Sequence, residues 1–592
     1  MTPTETLIAG SRQIETPGSA SPRIRTSRAS RTASQSLNPW LDHWVLIGLT
    51  LFVSGYILLH PLATNDGPVH TAFSHLILTY HQADHPLQQQ AYTLNVRPNP
   101  NLFVYFLMAG LMSFLSPALT ESIIQVLCVV FPIAGAYFAL KVINPRSVWL
   151  AIFILPMTLN QMFFLGLYNH EIAMGAFFLV IGLWFWLAKA PSWPRAAALS
   201  GALILTFFCH ASGFVMASTG LGMMAAVSGV LGFRRILQAT PSFTAAFGPV
   251  LRRHGYAIAA MLPPVPVVLY FLTSGGKNPI DFGPPVWYRL DQFVKLHLLA
   301  VNYPYRDRFP AFAISGLLIA AFLIVTFRIF YRHAEWTPQR RDQAIGLVAA
   351  TLLAVFIMCI FPDVMAGGWT HFRRFQIYPF YWMLLTLSFE NFSARLAGLY
   401  FTVASAASAA LIASMIGRQV IIRHQLEPLA QVDQLIGNHC SVAPLTMERH
   451  LVDNQKIPDW MEYQPFFQSP SSLELHGDRV VLFNYLARLN PYPVHFRPTM
   501  EPQTHLYLWK SQQIENDIEK IDLRGYESGS SLKVDYILLW GTPERSNWSL
   551  QHQIHNALTG FTPIYHSAGN WVTLYQRQSG LNPVCTATPL SR

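Results

Sequence analysis

Between residues 42 and 417 the chain is a succession of apolar runs, each close to 20 residues long and separated from the next by short polar clusters. At about 1.5 Å per helical residue, such a run covers the roughly 30 Å hydrocarbon core of a bilayer. The runs fall at 44–60, 120–140, 147–166, 170–188, 197–212, 214–233, 256–273, 310–330, 344–362, 375–389 and 396–417. A further apolar stretch, 102–116, is short and broken at Ser116-Pro117. Counted as a span, it would put Lys141/Arg146, Lys189/Arg195 and Arg234/Arg235/Arg252/Arg253 outside; read as a surface helix, it leaves those clusters inside together with Arg328, Arg332, Arg340 and Arg341. The pattern therefore predicts a membrane all-α bundle of about eleven helices, N-terminus in and C-terminus out, lying within residues 41–417. Its outer loops are 61–118, 274–309 and 363–374, plus the short turn 166–171.

After 418 the pattern changes. Charges scatter, and β-type alternation appears at Arg479-Val480-Val481-Leu482-Phe483, Val534–Trp540 and Trp571-Val572-Thr573-Leu574-Tyr575. Residues 418–592 are expected to form a soluble α/β domain on the outer face that covers the site or positions an acceptor without carrying the chemistry itself. Residues 1–40 are rich in Ser, Thr, Pro and Arg and read as a disordered cytoplasmic tail. Composition sharpens the membrane reading: 52% of residues are hydrophobic and only 12% charged, against about 25% in soluble chains. The net charge of +10 sits mainly in the clusters that orient helices, so nucleic acid is not the expected partner. Cys128, Cys209 and Cys359 fall in predicted spans. Cys440 and Cys585 lie near the two ends of the outer domain, where they either pair across a long loop or stay as free thiols.

Carboxylates are scarce in the membrane part. Asp66, in Thr64-Asn65-Asp66-Gly67-Pro68-Val69-His70, follows the first span, where it either caps a helix or meets a lipid-linked substrate and a polar acceptor. Glu171, beside His170 in the turn after Gly166-Leu167-Tyr168-Asn169, is the second candidate acid. Arg373 and Arg374, in Trp369-Thr370-His371-Phe372-Arg373-Arg374-Phe375, lie outside against the positive-inside trend, placed either to anchor a span or to bind a lipid phosphate. Lys277, Arg289, Arg306 and Arg308 are weaker candidates of that kind, and His210 reads as a packed histidine. The early histidines include His81 and His85 at i,i+4 spacing, but no HExxH motif, Walker A loop, GxGxxG or GxSxG accompanies them.

A first span, an acid at the head of a long outer loop, a surface helix and then paired spans resemble the GT-C membrane glycosyltransferases, which include protein O-mannosyltransferases and lipid A aminoarabinose transferases. Asp66-Gly67-Pro68-Val69-His70 matches the Asp-x-Pro-x-His-like motif of bacterial members, and Gly166-Leu167-Tyr168-Asn169 matches their Gly-x-x-Asn turn. The resemblance covers residues 40–420. It implies sugar transfer from a polyprenyl-phosphate donor to a glycan, lipid or protein acceptor, with Asp66 as base or as part of a metal-assisted site holding Mg or Mn. Many members place two acids together, whereas residue 65 is Asn here. The expected site is thus Asp66 and Glu171 as catalytic acids, with His70, Asn169, His170, His371, Arg373 and Arg374 binding substrate, in the bacterial plasma membrane. A lipid or glycan flippase, or a scaffold presenting the outer domain, are the competing readings; the predicted spans hold almost no ionisable residues, which argues against passage through the bilayer.

Overall fold

The computed structural model describes residues 39–239, 248, 254–274, 280–331, 336–365, 371–447, 463–489, 492–502, 506–509, 518–541 and 548–589. The tail 1–38, Arg252, Arg253, Lys277, Arg332 and residues 369–370 of the arginine motif lie outside them. Among the described residues, seven helices are long and apolar enough to cross a membrane: Pro117–Ile143, Tyr168–Lys189, Ala211–Ala239, His254–Thr273, Pro304–Tyr331, Pro338–Ile360 and Ala394–Leu435. Four shorter apolar helices accompany them: His43–Leu59, Phe103–Met112, Pro145–Met157 and Trp193–Cys209.

Three segments depart from the expected pattern. The run 147–166 is not one helix but a 3-10 segment, Pro145–Phe153, followed by two single turns, Ile154–Met157 and Gln161–Phe164. Its interruption has a local cause, because Asn160 turns its side-chain oxygen onto Met162 N (2.7 Å) and starts a new helix there. Irregular backbone at this depth requires burial in protein, and residues 150–164 are buried throughout. The run 375–389 is likewise two pieces, His371–Gln376 and Tyr378–Leu387. The last apolar helix continues to Leu435, well past residue 417.

The first elements are α1 (Pro39–Leu59), α2 (Gly67–Thr79), α3 (Pro86–Ala91), α4 (Phe103–Met112) and α5 (Pro117–Ile143). The ten residues of α4 extend about 15 Å, half a hydrocarbon core. Helix α5 crosses Tyr168–Lys189 where both lack side chains: a Cβ on Gly135 would lie 2.6 Å from Gly175 O, so small residues set this close approach. The bundle has two distinct ends. One is stitched by Asn144 and Ser147 to Ser388 O (both 2.9 Å), Arg328 to Glu390 (2.9 Å), Arg340 to Phe389 O (2.9 Å) and Arg235 to Asp342. Its basic residues are those the sequence pattern groups on one side. The other end carries residues 60–116, 166–171, the 210 turn, 280–303, 361–365 and 371–374, together with the C-terminal region.

The C-terminal region is built from strands. With β1 at Tyr92–Leu94, the rest are β2 (Gly437–Asn438), β3 (Ser441–Thr446), β4 (Val480–Val481), β5 (Val494–Phe496), β6 (Tyr507–Trp509), β7 (Ile518–Ile521), β8 (Tyr536–Trp540), β9 (Phe561–His566), β10 (Val572–Arg577) and β11 (Thr586–Pro589). Five form one sheet in the order β4-β3-β8-β10-β9, with β3 parallel to both β4 and β8 and β10 antiparallel to its neighbours. β3 and β8 are buried along their whole length, as central parallel strands require. Pro444 interrupts the strand signature of β3, which the sequence pattern passed over. Cys440 and Cys585 form a disulfide with Cα atoms 4.7 Å apart, which settles the alternative left open above.

This region is not a detached cap. β1, from the first outer loop, pairs with β5, and buried Asp478 accepts from Leu87 N (2.7 Å), Gln88 N (2.8 Å) and His439 Nδ1 (2.7 Å) at the start of α3. Asp478→Ala removes both backbone contacts at once, each about 1.5–3 kcal/mol for a charged acceptor. Hydrogen exchange across 84–97 should accelerate in this variant while exchange in the bundle helices stays unchanged.

Candidate functional site

The site grows from the extended segment between α1 and α2. Having no helix or strand of its own, this segment must satisfy its backbone elsewhere. Leu62 N and O both bond the side chain of Gln125 on α5 (2.9 Å each). Ala63 N bonds Gln419 (2.8 Å), and Ala63 O accepts from Tyr463 (2.8 Å). Thr64 meets Tyr168 (3.0 Å), Asn65 N reaches Phe164 O (3.0 Å), Asp66 N reaches Leu165 O (3.1 Å), and Asn65 Oδ1 accepts from Gln464 N (2.7 Å). The Asp66 motif and the Gly166 turn therefore meet backbone to backbone. Gly166 has φ +80°, and a Cβ there would lie 2.6 Å from Gly67 N and 2.8 Å from Asp66 N, so only glycine fits.

Asp66 occupies the N-cap position of α2, but its carboxylate makes no capping bond. Both oxygens instead accept from Tyr485 Oη at 3.1 Å. Burial pushes its pKa up to about 7, opposed by the Tyr485 hydrogen bond and the positive charge of Arg374. Arg374 also lies within electrostatic reach of Asp363, Tyr485 and Tyr492. Its Nη1 is 3.1 Å from His210 Nε2, and its buried Nε has no hydrogen-bond partner among the described residues. His210 Nδ1 accepts from Ser212 N (3.1 Å) and faces Ser212 Oγ (2.7 Å). Arg289, Arg373 and Arg374 all surround Asp363, so cations outnumber acids here. Tyr105, Phe73 and Tyr492 pack edge-on or tilted around the site and keep it apolar.

The other predicted residues hold the frame. His70 Nδ1 accepts from Tyr105 Oη (2.6 Å) while its ring bonds the Gly166 backbone; burial lowers its pKa to about 3, so it is a neutral clasp. Asn169 accepts from Val104 N (3.0 Å) and donates to Asn101 O (2.9 Å), fixing the start of α4. Glu171 is fully buried, with both oxygens on Asn160 Nδ2 (3.0 and 3.1 Å). It steadies the residue that starts the turn 161–166 and makes no contact with Asp66. His170 Nδ1 bonds Ser212 (3.0 Å), next to His210. His371 Nε2 meets Met365 O (3.0 Å), and burial with Arg374 lowers its pKa to about 4. Arg373 is buried 5.6 Å from the Phe372 ring centroid. Arg289, fully buried, donates to the carbonyls of Pro284, Met358, Phe361 and Phe282 and acts as a strut.

Sequence reasoning missed Tyr485, Tyr492, Asp363 and the role of His210, none of which lies in a motif. It also missed Glu121, whose carboxylate accepts from Tyr168 (2.8 Å) and Gln125 (3.4 Å) beneath Gly67. The residues around Asp66 do not fit a divalent cation: its oxygens are taken by a tyrosine, an arginine faces it, and no converging set of three His, Cys, Asp or Glu among the described residues includes it. Cys440, Asp535 and Cys585 do converge, but their sulfurs are joined and Asp535 accepts from Ser441 and Asn582.

No family model matches the sequence, and no curated protein does. Among solved structures, the chain is similar to ArnT from Cupriavidus metallidurans bound to undecaprenyl phosphate, at 11% identity over 90% of this chain and 97% of that one, with a TM-score of 0.49. It is also similar to the Archaeoglobus fulgidus oligosaccharyltransferase tethered to an acceptor peptide containing the NVT sequon, at 12% identity over 92% and 74%, with a TM-score of 0.43.

Gly166→Ala tests the backbone contact beneath Asp66. The added methyl must push the 65–67 segment away, so the midpoint of thermal unfolding should fall and hydrogen exchange at Asp66 and Gly67 should rise, whereas Gly48→Ala, where nothing lies within 4 Å, should change neither.

Proposed function

We propose that this chain is a membrane glycosyltransferase that moves a sugar from a polyprenyl-phosphate-linked donor to an acceptor hydroxyl at the membrane face where Asp66 lies. The observation that carries the reading is the orientation of Asp66: it sits where a carboxylate would cap a helix, yet it turns away from the cap into an apolar, aromatic-walled site beside an arginine with an orphaned N–H. A cap alone would not need that geometry. With a pKa near 7, the carboxylate is matched to taking a proton near neutral pH.

In the step that follows, Asp66 accepts the proton of the acceptor O–H and the acceptor oxygen bonds the anomeric carbon. The bond from that carbon to the phosphate oxygen breaks, and the phosphate departs with the electron pair. Arg374, held by His210, presents its free Nε–H to the departing charge, with Arg373 beside it. The Cys440–Cys585 disulfide and the gathering of basic residues at the opposite end of the bundle support an extracytoplasmic site in a bacterial plasma membrane.

In nanodiscs with a polyprenyl-phosphate sugar, Asp66→Asn should lower turnover by about 10²–10⁴, the usual range for a general base. Wild-type turnover should rise with pH through about 7 as Asp66 loses its proton. The sign for folding is opposite. A carboxyl raised from 3.8 to about 7 costs the folded state nothing below pH 4, progressively more between pH 4 and 7, and a constant amount above, so Asp66→Asn should be more heat-stable than wild type at pH 8. Arg374→Ala should weaken polyprenyl-phosphate binding about ten- to a hundred-fold. Wild-type turnover in Asp66→Asn would end the reading.

A further inference from the structure

Four buried side chains of the C-terminal region hold polar atoms that no mechanism above uses. Among the described residues, Thr446 Oγ1, Gln468 Nε2, both Oδ1 and Nδ2 of Asn484, and Trp540 Nε1 have no hydrogen-bond partner, and each of these residues is at most 2% exposed. Buried polar groups are almost always paired, so four orphans in one region call for an explanation.

Their positions share one edge. Thr446 ends β3 and Trp540 ends β8, facing each other in register. Asn484 comes just after β4, whose parallel pairing with β3 continues as Leu482 N bonds Val442 O (2.8 Å). Gln468 follows Phe466, which packs on Trp540 and Trp571 (5.8 Å each), and Phe467, which packs on Phe483 (5.2 Å) and Tyr485 (5.8 Å). All four therefore gather at the carboxyl ends of the parallel strands. There β3 lies between β4 and β8 and the strand order reverses, the place where open α/β sheets bind ligands. Tyr485, the residue after Asn484, reaches Asp66.

We infer that the carboxyl edge of β4-β3-β8 is a binding subsite for a neutral, hydroxyl-rich ligand, a glycan, which the transferase reading makes the acceptor. One hydroxyl, two carboxamides and an indole N–H donate and accept in both senses and carry no charge. A phosphate or carboxylate would call for cations instead. The rings of Phe466, Trp540 and Trp571 add the apolar surface that the ring faces of a sugar cover.

The inference rests on the transferase reading for the ligand's role but not for its binding. The test is titration of the full chain in nanodiscs with a panel of neutral oligosaccharides, read by saturation-transfer NMR and calorimetry without turnover. Wild type should bind one sugar of the panel saturably. Asn484→Leu and Thr446→Val should bind it at least tenfold more weakly with no fall in unfolding temperature, because each removes an unpaired polar group rather than a bonded one. Thr446→Val, the smaller change, decides the matter if Asn484→Leu does not fold. No saturable sugar binding by wild type up to millimolar, equal binding by both variants, a marked loss of stability in Thr446→Val, or binding of a peptide with no sugar bound would each overturn the subsite. Sugar binding without any transfer by wild type would instead overturn the transferase reading and leave the subsite standing.

Discussion

Everything at this site depends on how the short segment 62–66 finds partners for its backbone. A helix or strand satisfies its own peptide groups, but this stretch borrows from α5, the turn 163–166, the last long helix and the C-terminal region. With so many contacts its path is over-determined, and the carboxylate at its end is held in an apolar environment it would not choose for itself. The cost of burying Asp66 is met by the framework, and what the framework gains is a carboxyl poised near neutral pH.

The same logic assigns the surrounding polar residues. Glutamines 125 and 419 each use the side-chain amide as a substitute peptide group, donating and accepting at one residue of the segment. Glu171, Asn160, Asn169 and His70 form a second tier that fixes the turn and α4. Arg374 differs in kind: it is held at one nitrogen by a neutral histidine and left open at another. That open N–H is the feature a phosphate oxygen would complete.

The sequence made the frame legible in parts. Long apolar runs marked the bundle, and the motifs around Asp66 and Gly166, about a hundred residues apart, meet in the structure because one supplies the carbonyls the other needs. The run 147–166 misled, since its apolar composition records burial among helices rather than a continuous helix. Acids next to the Gly166 turn looked available, yet Glu171 faces inward, and a turn does not reveal on which side of its backbone a side chain falls. Tyr485 was beyond reach for another reason: it lies 419 residues from Asp66 in a segment without periodicity, and the two are brought together by long-range contacts such as the β1–β5 pairing, the Asp478 bonds and Tyr463 and Gln464 on residues 63–65. The C-terminal region, expected to cover the site or position an acceptor, packs directly on the Asp66 segment through Tyr463, Gln464 and Tyr485.

The most direct measurement is a cryo-electron microscopy structure of the full chain in nanodiscs with polyprenyl phosphate. The account predicts phosphate density against Arg374 Nε, on the same side of the bundle as the Asp66 carboxylate and next to it, with the lipid chain running down between helices. Phosphate bound at the opposite end, beside Arg328 and Arg340, with nothing at Arg374, would contradict it.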